Sequence, residues 1–144
     1  MLVRARSKRY LCNLADNLLE LRMTTHRHAE VVRPAPDAET ERAVRVFLQR
    51  LEGKYPVIEA ILYGSRARGD HKPDSDADLA VILAGERGDR YSVAGDMAGI
   101  EFDVMLEIGV HVQALPLWQD EWRHPERFNN PALIENIKRE GLRV

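Results

Sequence analysis

The chain has 144 residues, a length that fits one folded domain with a real hydrophobic core. Hydrophobic residues make up 44% and charged residues 31%, as in ordinary globular proteins, and no apolar run approaches the roughly 20 residues that span a membrane. A single cysteine, Cys12, excludes an internal disulfide. We therefore expect a cytoplasmic protein with no membrane contact.

Charge is distributed unevenly along the chain. Residues 1–33 carry seven Lys/Arg against three acidic residues, a net charge of +4, and the remainder carries fourteen against twenty, a net charge of −6. An acidic main body repels a phosphate backbone, so nucleic acid is a poor candidate for the principal partner.

The basic residues 1–33 are predicted to be an N-terminal extension, separated by a linker, RPAPD, from a main domain of residues 34–144. Four leucines of the extension recur at roughly helical spacing, namely Leu11, Leu14, Leu18 and Leu21. Three interpretations stay open: a targeting segment, a helix that packs on the domain or on a partner, and translated upstream sequence ahead of a second start at Met23. We favour the last two.

The main domain is predicted to begin with a helix on a sheet. Asp37 caps the helix, Gly53 ends it, and apolar residues between them recur at i, i+3, i+4 and i+7. The almost continuously apolar PVIEAILYG then predicts a strand covered on both faces. After a Gly-Ser turn, SRARG can form a short helical turn, DHKPDS a loop, and ADLAVIL a second strand.

A third strand is predicted at IEFDVMLEI, residues 100–108, because apolar and polar residues alternate there. The preceding GERGDRYSVAGDMAG is a polar connection with room for a short helix. Further helices are predicted around PLWQDEW and in NPALIENIKREG, where Asn130 caps and Gly141 stops the helix.

Two aspartates open the second strand. Residues i and i+2 of a strand point to the same side, so Asp76 and Asp78 converge. Two close carboxylates repel unless a cation lies between them, and magnesium prefers oxygen ligands, a few carboxylates among them, completed by water and phosphate oxygens. The pair indicates a metal that binds phosphate, although a lone pair of this kind is more often a solvated loop or a helix cap.

The Gly-Ser turn supplies a second half of this predicted site. Backbone N–H groups of Gly64, Ser65 and Arg66 can point at an anion, and Arg66 and Arg68 add positive charge for a triphosphate. Asp103, on the predicted third strand, completes the set if the strands are neighbours. Three carboxylates from two strands fit phosphoryl or nucleotidyl transfer with two metal ions.

The order strand, Gly-Ser, spacer, Asp-apolar-Asp-apolar and a later acid between apolar residues resembles the DNA polymerase β-like nucleotidyltransferase superfamily. Within it, YGSRARGDHKPDSDADLAVIL is similar to the minimal nucleotidyltransferase group. The resemblance implies an α+β fold with a small mixed sheet flanked by helices. It also implies ATP as substrate, two Mg²⁺ ions on Asp76, Asp78 and Asp103, nucleotide contacts from Gly64, Ser65 and Ser75, and Asp103 as activator of the acceptor hydroxyl. Glu101 shares a face with Asp103 and could replace it, but the family places this acid between two apolar residues, as Asp103 is.

The resemblance also implies a partner. Larger relatives add a domain that holds tRNA, DNA or an antibiotic, whereas minimal nucleotidyltransferases commonly occur beside a small helical HEPN protein. In characterised pairs the nucleotidyltransferase is an antitoxin that transfers AMP from ATP to a tyrosine of the HEPN ribonuclease. Two alternatives stay open: a nucleotide-binding module that neutralises a helical partner by contact, and an antibiotic-modifying nucleotidyltransferase.

Overall fold

A four-stranded sheet with helices on both faces forms the domain in a computed structural model, which describes residues 34–144. The predicted extension, residues 1–33, lies outside the described residues. The elements in chain order are α1 Ala38–Leu51, β1 Val57–Tyr63, α2 Gly64–Arg68, β2 Ala77–Leu83, α3 Arg90–Ile108, β3 Val112–Trp118, α4 Gln119–Arg123, a 3-10 turn Pro125–Arg127, α5 Pro131–Glu140 and β4 Leu142–Arg143. Among these helices none has the length and apolar character needed to cross a bilayer.

The strand order across the sheet is β3-β2-β1-β4. β1 runs antiparallel to β2 and β4, and β2 runs parallel to β3, so the predicted mixed sheet of an α+β fold is confirmed. In this register Asp78 lies between Tyr63 of β1 and Gln113 of β3.

Alternate residues of β1 and β2 enter two separate hydrophobic clusters, one on each face of the sheet. Leu62 and Leu79 join the cluster that also contains residues of α1 and α3, and Ile61 and Ile82 join the cluster under α5. Burial on both faces explains why these two strands are almost continuously apolar in the sequence.

Most predicted elements are confirmed close to their predicted bounds. Asp37 caps α1, where the backbone N–H of Thr40 donates to its carboxylate at 3.0 Å. Asn130 caps α5 in the same way, and the short helical turn predicted at SRARG is α2, which begins at Gly64 and ends at Arg68 with Gly69 as its C-cap. The helix predicted around PLWQDEW is α4, which begins only at Gln119 because the residues before it belong to β3.

The predicted third strand is wrong. Residues 100–108 are the C-terminal half of the 19-residue helix α3. The alternation was misleading because Phe102 and Leu106, read as a buried strand face, are exposed on the helix surface, with 54% and 68% of their area open. Helix burial instead follows the helical spacing of Met97, Ile100 and Val104.

The true third strand, β3, was not predicted. The strand contains Pro116, which fits because β3 is at the edge of the sheet, where a proline costs no ladder hydrogen bond. The carbonyl of Pro116 accepts a hydrogen bond from the Arg90 side chain at the start of α3. The alternation in VHVQAL after Gly109 was the available signal.

Candidate active site

The turn between β1 and α2 brings Gly64 against Asp78. Gly64 has φ +73°, in the left-handed region that favours glycine. A Cβ at this position would overlap the Asp78 carboxylate and lie 3.3 Å from its Cγ. The absence of a side chain at residue 64 is therefore what lets the carboxylate occupy this place.

Asp76 and Asp78 are close enough to affect each other. Burial raises the pKa of Asp78, the negative charge of Asp76 raises it further, and the positive charge of Arg68 opposes both. Burial and the charge of Asp78 likewise raise the pKa of Tyr63 to about 12. The site is thus electronegative where the two carboxylates meet, which is the environment that a divalent cation relieves.

A chain of three side chains extends from Asp76 towards α3. His111 Nδ1 lies 3.0 Å from Asp76 Oδ1, and His111 Nε2 lies 3.9 Å from Glu101 Oε2. The other carboxylate oxygen of Glu101 accepts a hydrogen bond of 2.8 Å from the backbone N–H of Ala114 in β3. Burial raises the pKa of Glu101, against the opposing effects of that hydrogen bond and of His111.

An open cleft of about 300 Å³ lies beside Asp76. Its walls come from α2, from the loop before β2 and from the end of α3 with the residues after it, namely Arg66, Pro73, Asp74, Ser75, Asp76, Met105, Gly109 and His111. A group bound there would contact Asp76 and His111 together.

Arg66 does not extend into this space as a free cation. Only 4% of its area is exposed, and its guanidinium donates to the carbonyls of Ser75 at 2.7 Å and Pro73 at 3.2 Å and to Thr40 Oγ1 at 2.7 Å. It also lies 3.5 Å from the Asp37 carboxylate. The expectation that its charge serves a triphosphate is corrected: Arg66 ties the loop before β2 to the start of α1.

Ser75 has a similar structural use, since its hydroxyl accepts a hydrogen bond of 2.9 Å from the N–H of Lys72 and closes the turn before Asp76. Arg68, in contrast, is 48% exposed and close enough to lower the pKa of Asp78. Ser65 follows Gly64 in the first turn of α2, and its carbonyl accepts from the N–H of Gly69. Arg68 forms only exposed ion pairs, with Asp70 at 3.3 Å and Glu140 at 4.0 Å, so it is the predicted cation that a phosphate beside the paired carboxylates could recruit.

Asp103 is not brought to the paired aspartates by a neighbouring strand. It is exposed on α3, and residues two apart on a helix point about 200° apart, so Asp103 faces away from β3 when Glu101 faces towards it. The residue that pairs with Asp78 on β3 is Gln113. A neutral amide stands where the sequence interpretation placed a third carboxylate.

His111 was missed in the sequence. It lies between the predicted third strand and the unpredicted β3, so no pattern marked it as a site residue. Its backbone carbonyl accepts from the N–H of Ala77, which places residue 111 beside β2, and its ring contacts Asp76. Had VHVQAL been interpreted as a strand, the position of His111 at its start would have been the available signal.

The donor set suits one hard cation held jointly with a ligand. Within residues 34–144 no group of three or more His, Cys, Asp and Glu side chains is arranged to hold a metal ion. Two carboxylates with mutual repulsion are present, and magnesium is often held by one or two carboxylates with water and substrate phosphate. Asp76 and Asp78 therefore fit a magnesium ion shared with a nucleotide.

Comparison with known proteins assigns the class of this domain. The model of the nucleotidyltransferase domain family matches residues 44–144. The chain belongs to this family of polymerase β-like nucleotidyltransferases. No curated protein matches the chain.

A crystal structure from Sulfolobus solfataricus, assigned as a nucleotidyltransferase, is similar over 76% of this chain and 87% of that one. The sequence identity is 18% and the TM-score 0.40, so the assignment rests on the family match.

Proposed function

We propose that this protein is a magnesium-dependent nucleotidyltransferase that moves a nucleoside monophosphate, AMP from ATP, to a hydroxyl group of a protein partner. The observation that carries the proposal is the close approach of Asp78 to Gly64, with Asp76 two residues away. This arrangement joins a carboxylate pair to a turn whose backbone N–H groups can approach phosphate.

In this proposal each residue of the site has its own role. Asp76 and Asp78 would hold magnesium, which when bound offsets negative charge on the phosphates. Arg68 would bind phosphate oxygens from the opposite side, since it is exposed beside Asp78. His111 would keep the Asp76 carboxylate in one orientation through its hydrogen bond.

Glu101 is the acid of α3 that we assign to the acceptor side of the site. It lies next to His111, whereas Asp103 faces away. A buried carboxylate with a raised pKa is suited to exchange a proton with an acceptor hydroxyl. This assignment replaces the role that the sequence interpretation gave to Asp103.

The partner in this proposal is a small helical protein of the HEPN type, neutralised as a toxin by nucleotide transfer. The support is the family resemblance together with an open cleft beside Asp76, because a protein acceptor can present its own side chain to an open site. Gln113 beside Asp78 favours one alternative, a nucleotide-binding module without transfer activity, since the position lacks the third carboxylate.

The test uses the double variant Asp76→Asn/Asp78→Asn and α-labelled ATP with a co-expressed HEPN-type protein encoded beside this chain. The variant keeps side-chain size but loses two charges, so labelling of the partner should fall at least about a thousandfold. Glu39→Gln/Glu41→Gln, two exposed acids with the same spacing on α1, is the matched control and should label normally.

Pull-down of the partner separates the two functions. If the protein is an enzyme, the double Asn variant should still bind the partner but should no longer label it. If neutralisation is covalent, the variant should also fail to protect cells from the partner's toxicity. A wild-type chain that binds ATP and protects the partner without labelling it would be the binding module. Undiminished labelling by the folded double Asn variant would refute the assignment of the pair.

A further inference from the structure

One row of residues crosses three strands of the sheet at Asp78. Asp78 is paired with Tyr63 of β1 on one side and with Gln113 of β3 on the other. Paired residues of neighbouring strands point to the same face of a sheet. Ala80 and Leu115, two residues further along β2 and β3, pack in the cluster under α5. The side chains of Tyr63, Asp78 and Gln113 therefore stand together on this face of the sheet.

Gln113 determines how many carboxylates this row offers to a cation. It is exposed, and it carries a neutral amide at the position that is paired with Asp78. Tyr63, on the other side of Asp78, is a phenol that packs against the cluster under α5. The row therefore contributes one carboxylate, that of Asp78, and Asp76 adds a second one from just before β2.

The acidic residues of α3 do not supply a third carboxylate on this face. Glu101 comes from α3, which packs against the opposite face of the sheet, and its carboxylate accepts the N–H of Ala114 at 2.8 Å. Asp103 is exposed and faces away from β3. In the part of the chain that the structure describes, no group of three or more His, Cys, Asp and Glu side chains is placed to hold a metal ion. A cation at Asp78 thus faces the charge of two carboxylates.

We propose that Gln113 restricts this site to one divalent cation in the complex with nucleotide. The inference rests on the proposed function, since it concerns the cation that Asp76 and Asp78 would share with a triphosphate. Two divalent ions roughly 3.5–4 Å apart repel each other strongly, so they bind together only where enough anionic ligands surround both. Two carboxylates with phosphate oxygens suit one magnesium ion, and the amide of Gln113 adds no charge for a second. The site would therefore differ from the pair of Mg²⁺ ions that the family resemblance implies.

Gln113→Asp would supply the missing charge. Because residue 113 is paired with Asp78, the new carboxylate would stand beside that of Asp78 on the same face of the sheet. Gln113→Asn is the matched control, since asparagine has the size of aspartate and no charge. Gln49→Asp is a second control, which adds the same charge at an exposed amide of α1.

Counting bound Mn²⁺ tests the inference. Mn²⁺ prefers the same oxygen ligands as Mg²⁺ and is visible by electron paramagnetic resonance. The full-length chain is mixed with an equimolar amount of an ATP analogue in which a methylene group replaces the α,β-bridging oxygen, and is then titrated with Mn²⁺. The wild type, Gln113→Asn and Gln49→Asp should each bind one Mn²⁺ per chain with the spectrum of an isolated ion. Gln113→Asp should bind two that are spin-coupled, as expected of ions roughly 3.5–4 Å apart.

The unfolding temperature gives a second readout. Without metal, Gln113→Asp should unfold at a lower temperature than Gln113→Asn, because its three carboxylates repel one another. Mn²⁺ with the analogue should then raise the unfolding temperature of Gln113→Asp more than that of Gln113→Asn. Equal unfolding temperatures of the two metal-free variants would contradict the placement of residue 113 beside Asp78 and overturn the inference.

The count in the wild type decides the matter even if Gln113→Asp does not fold. Two spin-coupled Mn²⁺ ions in the wild type would overturn the inference and leave the proposed function in place, and so would a single ion in a folded Gln113→Asp. No Mn²⁺ beyond what the analogue binds by itself would overturn both. A wild type that holds one Mn²⁺ with the analogue but transfers no label from ATP would contradict the transfer activity and still support the count.

Discussion

Gly64 and Asp78 are packed so closely that no side chain at residue 64 is compatible with the present position of the carboxylate. Gly64→Ala should therefore lose nucleotide binding at least about tenfold, because Asp78 must move, and should also destabilise the fold by about 1 to 2 kcal/mol through its positive φ. Calorimetry with ATP and magnesium measures the first effect and urea unfolding the second.

Gly53→Ala is the matched control for this prediction. Gly53 has φ +75°, close to the +73° of Gly64, but a Cβ there would meet nothing within 4 Å. The two variants should lose similar stability from the backbone, and only Gly64→Ala should lose nucleotide binding. Equal ATP affinity in the two variants would show that the close packing of Gly64 on Asp78 is not needed for nucleotide binding.

Arg66 and Arg68 should give opposite results when each is replaced by alanine. Arg66→Ala leaves the buried acceptors on Ser75 and Thr40 without a donor, so we expect a loss of about 2 to 4 kcal/mol in the free energy of unfolding. Arg68→Ala should change stability by less than about 0.5 kcal/mol, since the side chain is exposed.

ATP affinity should reverse that order. Arg68→Ala should weaken binding about tenfold, because one charge-assisted contact to phosphate is lost. Titration calorimetry of both variants well below their unfolding temperature checks the contrast. If a folded Arg66→Ala protein loses ATP binding and Arg68→Ala does not, Arg66 is a nucleotide-binding residue.

Glu101 and Asp103 are two residues apart on one helix and should differ in their effect on transfer. Glu101→Gln keeps an acceptor for the Ala114 N–H but removes the charge beside His111, so turnover should fall about a hundredfold. Asp103→Asn should stay within about twofold of the wild type, since an exposed side chain on that face touches no reacting group. The rate of label transfer from ATP is measured for both variants. A larger loss in Asp103→Asn than in Glu101→Gln would support the sequence interpretation, in which Asp103 is the third carboxylate.

The cap of α1 should make stability depend on pH. Burial alone would raise the pKa of Asp37, but hydrogen bonds from Thr40 and the charges of Arg66 and His71 lower it below its usual value. A lowered pKa in the folded state means stability that is present above the usual pKa and is lost as pH falls through the lowered one. Asp37→Asn keeps a cap but cannot ionise.

The wild type should accordingly be more stable than Asp37→Asn at pH 7, and the difference should shrink as pH falls below the usual carboxyl range. Urea unfolding at a series of pH values measures it. A difference that is constant with pH would show that the charge of Asp37 does not contribute to the stability of the cap.

The sequence was sufficient wherever one local rule determined the structure. Asp37 and Asn130 were identified as caps, β1 as a strand covered on both faces and β2 as a strand, because each depends on neighbours in the chain. The Asp-x-Asp pair followed in the same way from the start of β2, since its spacing alone places both carboxylates together.

Prediction failed where contacts distant in sequence decide the outcome. Phe102 and Leu106 imitated a strand face because apolar side chains on an outer helix surface do not belong to the domain core. The internal use of Arg66 depends on a hydrogen bond to Thr40, 26 residues earlier, which no motif reveals. The contact of His111 with Asp76, 35 residues away, exists only because β3 runs parallel to β2.

Pro116 closes one edge of the sheet to growth. As a proline it has no N–H to offer a further strand, and its carbonyl already accepts from Arg90. A strand from another molecule would thus lose both hydrogen bonds at this position, which disfavours edge-to-edge aggregation along β3. The row of backbone groups that β3 presents at this edge is therefore interrupted at Pro116, so that association along it relies more on side chains.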